Sequence, residues 1–176
     1  LWDYKSGEPI RQLAGHAGPV ACIDFSPDGR VLASAGLDDC TIRLWDVETG
    51  RELKQLGGHW DWMSAVLYSP DGNLLISTSY DNTVRLWNAT SGKELYRIEE
   101  SSSVLAAAFT PDGSTLAYGT WGRQVVVWDV KKRAEIATLE GHQGPVCSLA
   151  YAPDASILAS GSHDRTICLW KPPVAD

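Results

Sequence analysis

Trp2, Trp45, Trp87, Trp128 and Trp170 stand at spacings of 43, 42, 41 and 42 residues. A period of about forty residues held over a whole chain leaves few architectures open. Each period is one small unit that cannot bury its apolar face alone and must stack on its neighbour. The surroundings of the tryptophans repeat as well: Leu1-Trp2-Asp3, Leu44-Trp45-Asp46, Leu86-Trp87-Asn88, Val127-Trp128-Asp129 and Leu169-Trp170-Lys171. Within each period one order returns. Gly-His, where present, comes first, then a short apolar run, then Ser26-Pro27-Asp28-Gly29 or its counterparts starting at Ser69, Thr110 and Ala152. A Leu-Ala-Ser-like run, an Asp and the Trp segment follow.

The units read as β-structure. Pro-Asp-Gly joins a fixed φ, a side-chain turn acceptor and a position free to take φ > 0, so it connects two strands as a hairpin. Thr41-Ile42-Arg43-Leu44-Trp45 alternates polar and apolar and is rich in β-branched and aromatic residues. No segment carries a convincing 3.6-residue period. The expected fold is all-β, in units of four antiparallel strands.

These features together resemble the WD40 repeat family of β-propellers, over essentially the whole chain. The resemblance implies blades of four strands, a to d, with the Trp on strand c. It also implies a hydrogen-bonded His, Ser or Thr, Asp and Trp set in each blade. The first unit offers His16, Ser34, Trp45 and either Asp38 or Asp39. The second offers His59, Ser77, Asp81 and Trp87, and the fourth His142, Ser160, Asp164 and Trp170. The third holds Glu100, Tyr118 and Gly122 at the aligned positions and keeps only Trp128, so its blade is expected to be the softest. Residues 14–56, 57–98 and 99–140 form the first three repeats, the third divergent, and 141–171 a fourth without strand d.

Residues 1–13 read as a strand d left from a preceding repeat, and Lys171-Pro172-Pro173 as a breaker, for an expected total of 16 strands. In this family the N-terminal strand commonly completes the last blade. Three closures fit: four blades closing on themselves, two chains joined head to tail as an eight-bladed homodimer, or a segment of a longer propeller. Self-closure ranks last because four blades need much tighter curvature than the seven usual in the family. The only methionine is Met63, and Leu1-Trp2 duplicates Leu169-Trp170; both point to a piece of a longer array.

A Ser, His and Asp in one unit invite a hydrolase reading, in which a base held by a carboxylate activates a nucleophile. A catalytic set is needed once, whereas this one appears three times at fixed spacing with a Trp, and so reads as scaffold. No convergent metal donors, calcium loop or phosphate-binding Gly-rich loop appears, so neither enzyme, metal nor cofactor is expected. A net charge of −7 offers no basic field for nucleic acid, and the longest apolar runs are far too short to cross a membrane. Cys22, Cys40, Cys147 and Cys168 lack paired spacing and read as buried reduced thiols, which suits a cytoplasmic setting.

Function is therefore sought on the face formed by the d-to-a and b-to-c loops, the usual partner surface implied by the resemblance. Trp60 and Trp62 replace Ala17 or Gln143 and Pro19 or Pro145, and Trp121 also falls outside the repeat. Tyr80, Trp121 and His163 precede the turn position of their units, and Leu105 lies near the start of a strand a. These six residues form either a protein- or peptide-binding patch or local filler beside the divergent blade. A small-ligand or glycan pocket, with the tryptophans stacking on a ring, is the alternative use.

Overall fold

The computed structural model describes residues 1–171 and Pro173. Its hairpins follow from the Pro-Asp turns. The Gly29 N–H donates to Ser26 O at 2.8 Å, and the Ser26 hydroxyl donates to Asp28 Oδ1 at 2.6 Å. Gly29, Gly72 and Gly113 take φ of 70°, 73° and 72°, where a Cβ would be strained. The fourth turn puts Ala155 in the same conformation, at φ 59°.

Strands β1 (Val20–Phe25), β2 (Val31–Gly36), β3 (Thr41–Asp46) and β4 (Glu52–Gly57) form the first antiparallel blade in chain order. The second contains β5 (Met63–Tyr68), β6 (Leu74–Ser79), β7 (Thr83–Asn88) and β8 (Glu94–Glu99). The third contains β9 (Val104–Phe109), β10 (Thr115–Thr120), β11 (Val125–Asp129) and β12 (Ala134–Leu139). The fourth has three strands, β13 (Val146–Tyr151), β14 (Leu158–Ser162) and β15 (Ile167–Trp170). The described residues thus hold 15 strands rather than 16.

The expected strand d at Tyr4–Leu13 is where the difference lies. That segment folds back on its own start: Trp2 bridges Pro9, and the Ile10 N–H donates to Leu1 O at 2.9 Å. A local partner meets its backbone groups, so it does not pair with β15. Pro172 of the expected breaker lies outside the described residues.

Innermost strands pack in a row, β1 on β5, β5 on β9 and β9 on β13, and apolar cores fill the gaps between blades. Ile42 on strand c of blade one is 1% exposed because blade two covers it. Its counterparts at the far end, Ile167 and Leu169, are 76% and 69% exposed, since no further blade follows among the described residues. Val20, Ile23 and Phe25 are likewise exposed on the opposite end of the row.

Two irregularities recur from blade to blade, the first at the upper face and the second toward the c-to-d turn. A bulge interrupts the a–b pairing of every blade, between Val20 and Cys22, Met63 and Ala65, Val104 and Ala106, and Val146 and Ser148. A second follows the Trp side of strand c in blades one to three. Such bulges bend a strand and re-aim side chains at the rim of a sheet.

Candidate functional site

The loops of the upper face are tied down by the expected polar sets. In blade two the Trp87 Nε1–H donates to Ser77 Oγ at 2.8 Å, and Ser77 Oγ lies 2.8 Å from His59 Nε2. His59 Nδ1 lies 2.7 Å from Asp81 Oδ2. The Asp81 carboxylate can only accept, so His59 carries a proton on Nδ1 toward it, while Ser77 accepts the Trp87 indole N–H. Blades one and four repeat this with His16, Ser34, Asp39 and Trp45, and with His142, Ser160, Asp164 and Trp170. Asp39 is the network carboxylate of blade one. Asp38 is not; the extra residue in that loop leaves it exposed on the surface.

Burial pushes the Asp81 carboxyl upward, but bonds from His59 and Thr83 outweigh it and hold it at about 2. Against the same burial effect, the Ala17 N–H, His16 and Thr41 hold Asp39 at about 2, and Thr166 leads the lowering of Asp164. Ser34, Ser77 and Ser160 are buried and each bridges its histidine and its tryptophan, so these sets act as clamps between the loops and strands b and c.

Reading the sequence for a four-residue set missed a fifth member. Thr41, Thr83 and Thr166 each donate backbone and side-chain bonds to the second oxygen of the Asp. The repeated Asp-x-Thr at Asp39, Asp81 and Asp164 was the signal for it. Arg85 was also missed: it is buried and reaches Glu94 at 2.8 Å and Gly58 O at 2.6 Å.

Blade three corrects the expectation of a merely emptied set. The Tyr118 hydroxyl donates to Glu100 Oε1 at 2.5 Å, and the Gly122 N–H donates to Ser102 Oγ at 3.0 Å. Burial, then the facing Glu100, pushes the Tyr118 hydroxyl up, so it stays a proton donor. The long tyrosine spans the distance that serine and histidine share elsewhere. Trp128 Nε1, with no serine to receive it, is buried without a hydrogen-bond partner among the described residues.

Above the clamps stand the side chains that do not repeat. Trp60, Trp62 and Trp121 are 71%, 56% and 51% exposed. Their backbones are fixed. The Tyr80 N–H donates to Trp62 O and the Trp121 N–H to Ser103 O, both at 2.8 Å, and the His163 N–H donates to Pro145 O at 2.9 Å. Trp62 meets Tyr80 edge to face with ring centres 6.0 Å apart, and Trp121 meets His163 at 6.3 Å across blades three and four. Trp60 makes no ring contact among the described residues, while its N–H lies 3.3 Å from Asp81 Oδ2. Leu105 differs from the others: it occupies the bulge of β9 and is half-buried.

Four cysteines are free; Cys147 is exposed and the other three are half-buried, so none is the fully buried thiol expected. Cys147 occupies the bulge position of β13, which turns it out of the core.

A sequence model described as the IFT122 first beta-propeller matches residues 1–173. The chain belongs to this family of WD40 β-propellers. The solved structures of U3-55K and of the RRP9 WD40 repeats each superpose with a TM-score of 0.86 at 29% identity. They cover 93% of this chain, which in turn spans 52% and 51% of theirs. Pre-mRNA-processing factor 19 of Homo sapiens is 36% identical over 152 residues, which is 85% of this chain and 30% of that relative. The propeller described here therefore spans about half of the solved chains and under a third of that relative.

Proposed function

We propose that this propeller is a non-catalytic scaffold that binds a protein or peptide through its upper face. One observation carries the reading: Trp60, Trp62 and Trp121 break the repeat, and their rings stand in solvent on backbones held by hydrogen bonds. Large rigid rings held in place bury much area at little entropic cost, which is why they dominate binding surfaces. Trp121 touches His163 of the neighbouring blade yet stays half exposed, and Trp60 and Trp62 are more exposed still, which favours a binding surface over filler. The similarity to pre-mRNA-processing factor 19 and to the RRP9 WD40 repeats supports a role within an assembly. A cytoplasmic location belongs to the same proposal and suits four free cysteines.

Selection of short displayed peptides against the folded chain tests it. Peptides recovered on the wild type are expected to lose binding on Trp62→Ala and on Tyr80→Ala, with unfolding midpoints nearly unchanged. Retention of binding by both variants would refute the surface. Selective quenching of tryptophan fluorescence by simple sugars, with no response to peptides, would favour the glycan alternative instead.

A further inference from the structure

The charge of the upper face is divided between its blades. In the loops over blades one and two, residues 14–19, 36–40, 57–62 and 79–82, there is no Lys or Arg, while Asp38, Asp39, Asp61 and Asp81 are all present. Four cations lie on the strands beneath: Arg43 pairs with Glu52, Arg97 with Glu94, and Arg85 with Glu94, Gly58 O and, at 3.9 Å, Asp81, while Lys54 lies against Gly92 in the c-to-d turn away from this face. Over blades three and four the same loops carry Arg123 and Arg165 beside Glu100, Glu140 and Asp164, so two cations there offset three carboxylates.

These four carboxylates act on one region. Cys40, at the junction of blades one and two, has its thiol pushed up by burial first and then by Asp61, Asp39, Asp81 and Asp38 in turn. Asp39 and Asp81 are spent on their histidines, but Asp38 and Asp61 have no ion-pair partner among the described residues. The Asp38 carboxylate rests directly on Gly18, where an added Cβ would lie 2.3 Å from its Oδ2. Asp61 is half-buried; its Oδ1 accepts the Trp62 N–H at 2.7 Å, and its Oδ2 has no hydrogen-bond partner among the described residues. Asp61 lies between Trp60 and Trp62 in the chain, so one short loop carries a half-buried carboxylate and two exposed indoles.

Carboxylates beside open aromatic rings have a chemical counterpart. A Lys or Arg side chain lays its cation against the indole π-face and its apolar stem along the ring, while the carboxylate answers its charge. An acidic segment would be repelled by the same field, and a purely apolar one would strip water from Asp38 and Asp61 without return. We propose that the upper face over blades one and two binds a polypeptide segment bearing Lys or Arg, its cations seated on Trp60 and Trp62 between Asp38 and Asp61. The proposal rests on the scaffold reading above and narrows it to one partner chemistry.

The test uses the whole chain and three labelled peptides of about twelve residues, a length that spans two blades when extended. All share a central Leu; the first places Lys and Arg around it, the second Gln at those positions, and the third Glu. Fluorescence anisotropy is expected to give the basic peptide at least about tenfold tighter binding than the Gln peptide, with affinity falling as salt rises from about 50 to about 300 mM. Asp38→Asn with Asp61→Asn is expected to reduce that affinity about tenfold, as is Trp60→Ala, with circular dichroism and unfolding midpoints unchanged.

Binding of the basic peptide that ignores Asp38→Asn with Asp61→Asn would overturn the proposal. Tighter binding of the Gln or Glu peptide, lost in Trp60→Ala, would overturn the partner chemistry while leaving the scaffold reading standing. No dependence of any peptide on Trp60 or Trp62 would sink both.

Discussion

Replacing Asp81 by asparagine exchanges one carboxylate oxygen for an amide NH2 and should undo the clamp of blade two. One carboxylate oxygen receives His59 Nδ1–H at 2.7 Å and the Trp60 N–H at 3.3 Å; the other receives the Thr83 N–H at 3.0 Å and its hydroxyl at 2.6 Å. All four partners are donors, so whichever way the asparagine amide is turned, its NH2 faces two of them. Two charge-assisted bonds are lost at a fully buried side chain, an expected cost of about 4 kcal/mol at neutral pH. Part of that depends on pH. The folded carboxyl is held at about 2 against an ordinary 3.8, its burial outweighed by His59 and Thr83. A depressed folded value stabilises fully above the unfolded value and is lost as pH falls through the folded one, so about 2 kcal/mol should vanish between about pH 5 and pH 2. Asp39 and Asp164 titrate in both proteins, so the difference between wild type and variant isolates Asp81. Urea unfolding followed by tryptophan fluorescence at several pH values reads the gap. A difference below about 1 kcal/mol at neutral pH, or one that widens on acidification, would refute the account of the clamp.

Trp87→Phe loses the bond to Ser77, whereas Trp128→Phe removes an Nε1–H that has no partner among the described residues, so the first should destabilise by about 1 kcal/mol more in the same titration. A Cβ on Gly144 would lie 2.8 Å from the Asp164 backbone nitrogen, so Gly144→Ala should lower stability by about 2 kcal/mol; at Gly18 the nearest atoms belong to the Asp38 side chain, which can turn away, so Gly18→Ala should cost less, read by thermal unfolding. Ala155→Gly relieves an alanine at φ 59° and should stabilise by about 0.5–1 kcal/mol, a gain that a lowered melting midpoint would contradict. Ile167 and Leu169 repeat the inter-blade face that buries Ile42 and Leu44. The isolated chain should therefore pair head to tail by light scattering, and Leu169→Glu should release monomers; a wild type that is already monomeric would exclude this pairing.

Much of the fold was legible because the repeat states it several times. A period near forty residues, three Pro-Asp-Gly turns and a recurring Trp segment dictate short antiparallel strands through local sterics and alternation, with no need of distant contacts. The clamps were legible for the same reason, since one spacing recurs in three units. The doubtful positions were those where a unit departs from the others. The blade-one loop has one extra residue, and only the path of the backbone decides that Asp39 meets His16 while Asp38 lies on Gly18. Blade three looked emptied of its set, yet Tyr118 and Glu100 meet across 18 residues because a longer side chain reaches where a shorter one was lost.

By itself, then, the amino-acid order determined the units, their turns and most of the polar partners, because each depends on neighbours within one period. Tertiary packing decided what depends on the relation between periods. It folds residues 1–11 on themselves, with Arg11 held on Glu48 O and Thr49 O rather than the segment pairing with β15, and it leaves Ile167 and Leu169 exposed where Ile42 and Leu44 are covered. It also decides that Trp62 meets Tyr80 and Trp121 meets His163 across separate loops. The physical reason is burial: whether an apolar ring is core or surface is settled by what lies against it, and no residue carries that information alone.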